Sequence, residues 1–152
     1  MAWEIEVVDA PERRTAVVAL ETTWPELPAA AGAAFDDVWA LLRANGGGEG
    51  DGRPARGRNV ILYKDAVPNV EVGVEVAGPF DPAGRVEPSA LPGGTVARTV
   101  HRGSYEDLPA AHEAVRAWCE ENGHEVTGQR WEVYGDWHDD QDQLETEVAW
   151  LL

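Results

Sequence analysis

The stretch YEDLPAA, residues 105–111, is a near copy of WPELPAA at residues 24–30, and the segments around the two copies correspond as well. RRTAVVALET (13–22) precedes the first copy and TVARTVHRG (95–103) precedes the second. Their β-branched and small apolar residues mark both as strands. After the first copy, Phe35, Val38, Trp39 and Leu42 fall on one face of a helix, which Asn45-Gly46 stops. After the second, Leu108, Ala111, Val115 and Trp118 run along one side of a helix, stopped by Asn122-Gly123. Ser104 caps that helix, with the acid Asp107 in its first turn. Two strands then close each half: NVILYKD (59–65) with NVEVGVEV (69–76), and RWEVYGDW (130–137) with LETEVAWLL (144–152). Tyr63-Lys-Asp65 answers Tyr134-Gly-Asp136, and Val70-Glu-Val72 answers Leu144-Glu-Thr146.

Each match is short, and their common order is the argument. It predicts an α+β fold of tandem strand–helix–strand–strand modules related by a pseudo-twofold axis. Residues 1–152 form one domain, with half one at about 1–77 and half two at 95–152. Residues 78–94 carry four prolines and read as a linker with a short extended piece. GGGEGDGRPARGR (46–58) reads as a flexible loop. If each helix covers one sheet face, the uncovered faces of the antiparallel sheets make a central cleft, a favoured place for a ligand.

The chain has 152 residues, of which 43% are hydrophobic, enough for a substantial core without staples. Its single cysteine, Cys119, excludes a disulfide framework and suits a reducing cytoplasm. The start, MAWEIEVVDAPERR, is not built like a signal peptide, and no apolar run is long enough to span a membrane. The formal charge of −16 repels phosphate backbones, which argues against direct nucleic-acid binding. Most of the 28 acids read as solvating surface.

One acid stands apart. In RWEVYGDW, alternation puts Trp131 and Val133 on one face of the strand and Glu132 with Tyr134 on the other. If the first pair packs under a helix, the second faces the cleft. By the repeat, Ile61 and Tyr63 take the matching places in half one. Tyr63 and Tyr134 then face one another across the pseudo-axis, with Glu132 between rings. A carboxylate buried there needs a partner. Rings around an acid suit a flat organic cation through stacking, cation–π contact and an ion pair. The competing reading is a solvent-facing glutamate on a half-exposed strand.

Seven tryptophans are many for this length. Trp39 and Trp118 lie on core stripes, and Trp131 reads as core. Trp137 and Trp150, near strand ends, are open to either role. The histidines follow no HExxH or similar spacing, so no metal site is expected. DWHDDQDQLETE resembles a calcium loop only in part, with Gln141 where glycine is needed. The glycines at 46–52 lack the GK[ST] of a phosphate loop, and no GxSxG occurs. Cys119 reads as packing. No cofactor is expected.

LPGGTVARTVHRGSYEDLPAAHEAVRAWCEENGHEVTGQRWEVYGDW, closing with LETEVAWLL, resembles the GyrI-like small-molecule-binding family, the effector-binding domains of AraC- and MerR-type multidrug regulators. The likeness rests on Pro92-Gly93-Gly94 before a strand, His101-Arg102-Gly103-Ser104-Tyr105 before a helix, and Trp131-Glu132-Val133-Tyr134. It extends from about Trp3 to Leu152. It implies two strand–helix–strand–strand modules with a cleft between them. It also implies a buried Glu132 that pairs with cationic aromatic drugs. Tyr63 and Tyr134 would represent the cleft aromatics, together with Trp39 and Trp137. With the first strand so near the start, the chain reads as a stand-alone form without a DNA-binding domain.

The expected function is cytoplasmic binding of hydrophobic, often cationic aromatic molecules, with a link to drug resistance. Glu132, Tyr134, Tyr63, Trp137, Trp39 and Ile61 are the candidate ligand-binding residues. The resemblance also implies an alternative, a hydrolase of cyclopropane-bearing DNA-alkylating compounds. Glu132 would activate water, and Tyr134 would hydrogen-bond the developing oxyanion. A third reading is an acidic protein that occupies a partner such as gyrase. A regulator is the other partner this reading admits.

Overall fold

The computed structural model of the protein describes residues 3–44 and 56–152. The helix stop at Asn45-Gly46 and most of the 46–58 loop lie outside these described residues. Half one contains β2 (Arg13–Glu21), α1 (Leu27–Ala44), β3 (Arg56–Tyr63) and β4 (Asn69–Val76). Half two contains β6 (Gly94–Arg102), α2 (Leu108–Glu121), β7 (Arg130–Tyr134) and β8 (Glu145–Leu151). Two strands were less legible. β1 (Glu6–Ala10) precedes the first module, and β5 (Val86–Leu91) is the extended piece within 78–94.

Among the described residues the eight strands build one antiparallel sheet with two α-helices against it, an α+β fold that does not close into a barrel. The strand order is β1-β6-β8-β7-β3-β4-β2-β5, so β7 and β3 meet at the centre. The leading strands are exchanged. β1 runs just ahead of β2 but pairs with β6, and β5 runs just ahead of β6 but pairs with β2. Each half thus completes the other half's sheet edge.

Register explains which residues share a face. Tyr63 pairs with Arg130 and Arg130 with Trp150; Ile61 pairs with Glu132 and Glu132 with Val148. Cross-strand partners point the same way. Ile61 and Tyr63 join the core under α1, where Leu27, Ala31, Ala34, Val38 and Leu42 are buried. Val148 and Trp150 join the core under α2, where Leu108, Ala111, Val115 and Cys119 are buried. Both helices therefore lie on one face of the sheet, and the groove runs between them. This corrects the expectation that Trp131 and Val133 pack under a helix and that the cleft lies on uncovered faces. Trp131 and Val133 sit on the opposite face, in a cluster with Val60, Leu62, Leu91, Val96 and Ala149. Among the described residues no helix covers that face. The sheet curls there instead, bringing Arg13 of β2 within 3.9 Å of Glu75 and 3.6 Å of Glu147 on β8.

The register also corrects one repeat match. Ile61 pairs with Val72 as Glu132 pairs with Val148, and Tyr63 pairs with Val70 as Tyr134 pairs with Thr146. Val70 therefore answers Thr146 and not Leu144. A slip of two residues keeps every side chain on its face, so alternation cannot reveal it.

Among the described residues no helix is long and apolar enough to cross a membrane.

Candidate functional site

The groove between α1 and α2 has a volume of about 1070 Å³, slightly above the usual range for small-molecule sites. Its mouth is made twice by the same local device. Ahead of α1, Thr23 Oγ1 accepts from the Glu26 N–H at 3.3 Å, and the Thr23 carbonyl accepts from Leu27 N–H at 2.9 Å. Ahead of α2, Ser104 Oγ accepts from the Glu106 N–H at 3.2 Å. Each hydroxyl accepts from an N–H of the turn that leads into its helix, and Ser104 does so as the cap of the 3-10 turn Tyr105–Asp107 that precedes α2. The residue after each cap, Trp24 or Tyr105, then projects its ring over the groove. Trp24 stacks on Tyr63 at 5.8 Å between centroids, and Tyr105 meets Tyr134 edge-on at 5.5 Å. His101 anchors the second cap. Its Nδ1 accepts from Trp3 Nε1 at 3.1 Å, leaving Nε2–H to donate to the Ser104 carbonyl at 2.9 Å.

The floor comes from the two central strands. Ile61 and Tyr63 rise from β3; Arg130, Glu132 and Tyr134 rise from β7. Glu132 is only 3% exposed. Both phenols donate to its Oε1, Tyr63 at 2.9 Å and Tyr134 at a shorter distance. His112 Nε2 lies 2.9 Å from Oε2. The tautomer of His112 follows from its other nitrogen, because Trp150 Nε1–H donates to Nδ1 at 3.1 Å. Nδ1 is thus the acceptor, and the ring proton sits on Nε2, where it donates to Glu132. Three charge-assisted hydrogen bonds contribute roughly 1.5–3 kcal/mol each, of the order needed to offset the several kcal/mol that burying one carboxylate costs.

The phenols remain protonated donors. Burial raises Tyr63 and Tyr134 well above the ordinary value of 10.0, and the charge of Glu132 adds to it. Burial alone raises Tyr105. Arg130 lies among rings, its Cζ 5.1 Å from the Trp150 centroid, 5.5 Å from Tyr63 and 5.9 Å from Trp24. Burial there lowers the guanidinium, while interactions with Tyr63, Asp65 and Glu132 act in the opposite direction.

Five of the six residues singled out from sequence line this groove: Glu132, Tyr134, Tyr63, Ile61 and Trp137. Trp137 is a rim residue, 66% exposed and 6.4 Å from the Tyr105 ring. Trp39 does not join them. It packs beside the α1 core and donates to Asn59 Oδ1 at 2.9 Å, because its place on the helical stripe faces the sheet and not the gap. Trp150, open to either role from sequence, is buried and lines the groove. Trp118, expected on the core stripe, packs half-buried against the α2 core and stacks on His124, while Cys119 takes the fully buried place beside it.

Sequence reasoning missed Trp24, Tyr105, His112 and Arg130. The first two head the repeated heptads and were available from that match. Arg130 shares the alternation parity of Glu132 and Tyr134. His112 carries no motif; only its pairing across the fold reveals it.

Comparison with known proteins bears on what this groove is. The sequence matches the model of the GyrI-like small molecule binding domain over residues 4–152. No curated protein matches it. The fold is similar to the crystal structure of the EcmrR C-terminal domain, with 20% identity, a TM-score of 0.76, and 99% of this chain and 98% of that one covered. It is similar to the structure of SAV2435 bound to tetraphenylphosphonium, with 11% identity, a TM-score of 0.66 and 99% and 93% coverage. It is also similar to a hydrolase from Listeria innocua, with 10% identity, a TM-score of 0.61 and 97% and 90% coverage. The duplicated modules, the groove between their helices and a family match over nearly the whole length agree: the chain belongs to the GyrI-like small-molecule-binding domain family.

Proposed function

We propose that this protein binds flat, hydrophobic, often cationic aromatic compounds between α1 and α2, with Glu132 as countercharge. The observation that carries the reading is a carboxylate 3% exposed at the floor of an aromatic groove, oriented by three hydrogen-bond donors before any ligand arrives. Such a charge loses little freedom on binding and acts in a partly desolvated setting, where cation–π and ionic attraction are strengthened. Trp24, Tyr63, Tyr105 and Tyr134 supply ring surface, and exposed Trp137 extends it at the rim. The SAV2435 structure, with its bound organic cation, supports the same reading. Sequestration of toxic compounds in the cytoplasm is the proposed consequence, and the single free cysteine fits that compartment.

The test is titration of a flat dye followed by tryptophan quenching. Glu132→Gln is expected to weaken a cationic dye by about tenfold, the size of one partly desolvated ionic contact, and a neutral analogue by no more than about twofold. Equal weakening of the two dyes would sink the countercharge.

A second reading, hydrolysis of cyclopropane-bearing compounds, draws support from the likeness to the Listeria innocua hydrolase and from Tyr134 beside Glu132. The hydrogen bonding weighs against it. A carboxylate offers about four lone-pair sites, and three are occupied here, which leaves little to aim at a water. Turnover of such a substrate that depends on Tyr134, tested with Tyr134→Phe, would reverse this preference.

A further inference from the structure

Arg130 has no part in the function proposed above, yet it occupies the best cation position in the groove. Its guanidinium lies within 5.9 Å of three ring centroids, those of Trp150, Tyr63 and Trp24. It is half-buried and lines the cavity wall. A guanidinium has five N–H donors. Among the described residues one of these is used, from Nη1 to the Gly128 carbonyl at 2.9 Å, and no carboxylate forms an ion pair with Arg130. The other guanidinium lining the groove differs, because Arg58 pairs with Asp136 at 3.2 Å. His112 offers a ligand no free ring nitrogen, because Nε2 is engaged with Glu132 and Nδ1 with Trp150.

Arg130 and Glu132 are two residues apart on one strand and point the same way, so their positions are about 7 Å apart. A ligand bearing only positive charge, seated at Glu132, meets a like charge at that distance. A ligand that also carries an anion meets a fork of free donors. We infer that Arg130 is an anion-recognition arm, and that the groove selects amphoteric aromatics, with a cationic ring system toward Glu132 and a carboxylate toward Arg130. The inference rests on the aromatic-cation reading of the groove and narrows its ligand class.

The probes are rhodamine 6G and its free acid, which share one xanthene cation and differ in an ethyl ester against a carboxylate. Wild-type protein is expected to bind the free acid about tenfold more tightly, the gain of one charge-assisted fork. Arg130→Gln is expected to remove that preference, and Arg130→Lys to keep part of it, since the point charge stays and the fork is lost. Glu132→Gln should weaken both dyes alike. Equal wild-type affinities, or a preference that survives Arg130→Gln, would overturn the role of Arg130 while leaving the groove reading intact. So would tighter rhodamine 6G binding in Arg130→Gln with no loss of the carboxylate preference. Failure of both dyes to bind would overturn the groove reading and this inference together. The first comparison uses the unaltered protein, so it stands even if a variant misfolds.

Discussion

At the scale of single residues, the groove is organised by what Glu132 accepts. Two phenols share one carboxylate oxygen, and a histidine holds the other. The phenols serve only while protonated, and burial with the neighbouring negative charge keeps them so. The consequence for stability has a definite sign. An unfolded tyrosine releases its proton near pH 10, whereas Tyr63 and Tyr134 retain theirs in the folded state. Above that pH the unfolded chain binds fewer protons, so stability falls as pH rises; below it the contribution is complete. The phenolate absorbance of Tyr63 and Tyr134 should therefore appear together with loss of the folded circular-dichroism signal. Tyr63→Phe should remove part of the alkaline loss and cost about 1–2 kcal/mol at neutral pH, because Glu132 loses a donor. Ionisation of more than one of the three tyrosines well before unfolding would contradict this account, since only Tyr105 is exposed.

At the scale of elements, the sheet is held at closer tolerance in half one than in half two. Gly73 sits in β4 between Val17 of β2 and Val60 of β3. A Cβ at this position would lie 1.8 Å from the Ala16 carbonyl oxygen, a backbone atom that cannot swing away. Gly73→Ala is expected to cost about 2–3 kcal/mol, the upper range for overpacking, read from urea unfolding. In half two the matching place is held by Ala149, so Ala149→Gly should cost only about 1 kcal/mol. Comparable effects at both places would mean that β2 and β4 part easily. Legibility in the sequence varied with the same physics. The helices and six of the strands were readable because their periodicities and the repeat agree. β1 and β5 were less so, since their identity depends on pairing with the other half's edge. Glu132, Ile61, Tyr63 and Tyr134 followed from alternation combined with the repeat. His112 did not, because a lone helical histidine acquires its role only when α2 is laid against β7 and β8. Trp39 was misplaced because a helical stripe tells which side is buried, not what it is buried against.

At the scale of the whole molecule, the frame is nearly symmetric and the chemistry is not. Trp24 answers Tyr105 and Tyr63 answers Tyr134, so the rings come in pairs. The polar groups have no such partners. Register sets Ile61 opposite Glu132, Asn59 in the place of Arg130, and Val74 in the place of Trp150. Following the heptads along the helices, Ala31 takes the place of His112. Half two thus carries Glu132, Arg130 and His112, on a scaffold both halves build, while the charge that half one brings to the groove, Arg58, is paired with Asp136. A double variant, Ile61→Glu with Glu132→Ile, tests whether the frame or the half matters. Both phenols should reach the new carboxylate, since the axis between β3 and β7 relates Tyr63 to Tyr134. The histidine donor should be lost, because Ala31 faces the new site. The expected result is a folded protein less stable by about 1–3 kcal/mol, a melting point lower by roughly 2–10 °C. It should still bind a cationic dye within about threefold of wild type, because the new charge also stands farther from Arg130. Retained stability with lost binding would assign the site to half two alone; retained binding would assign it to the symmetric frame.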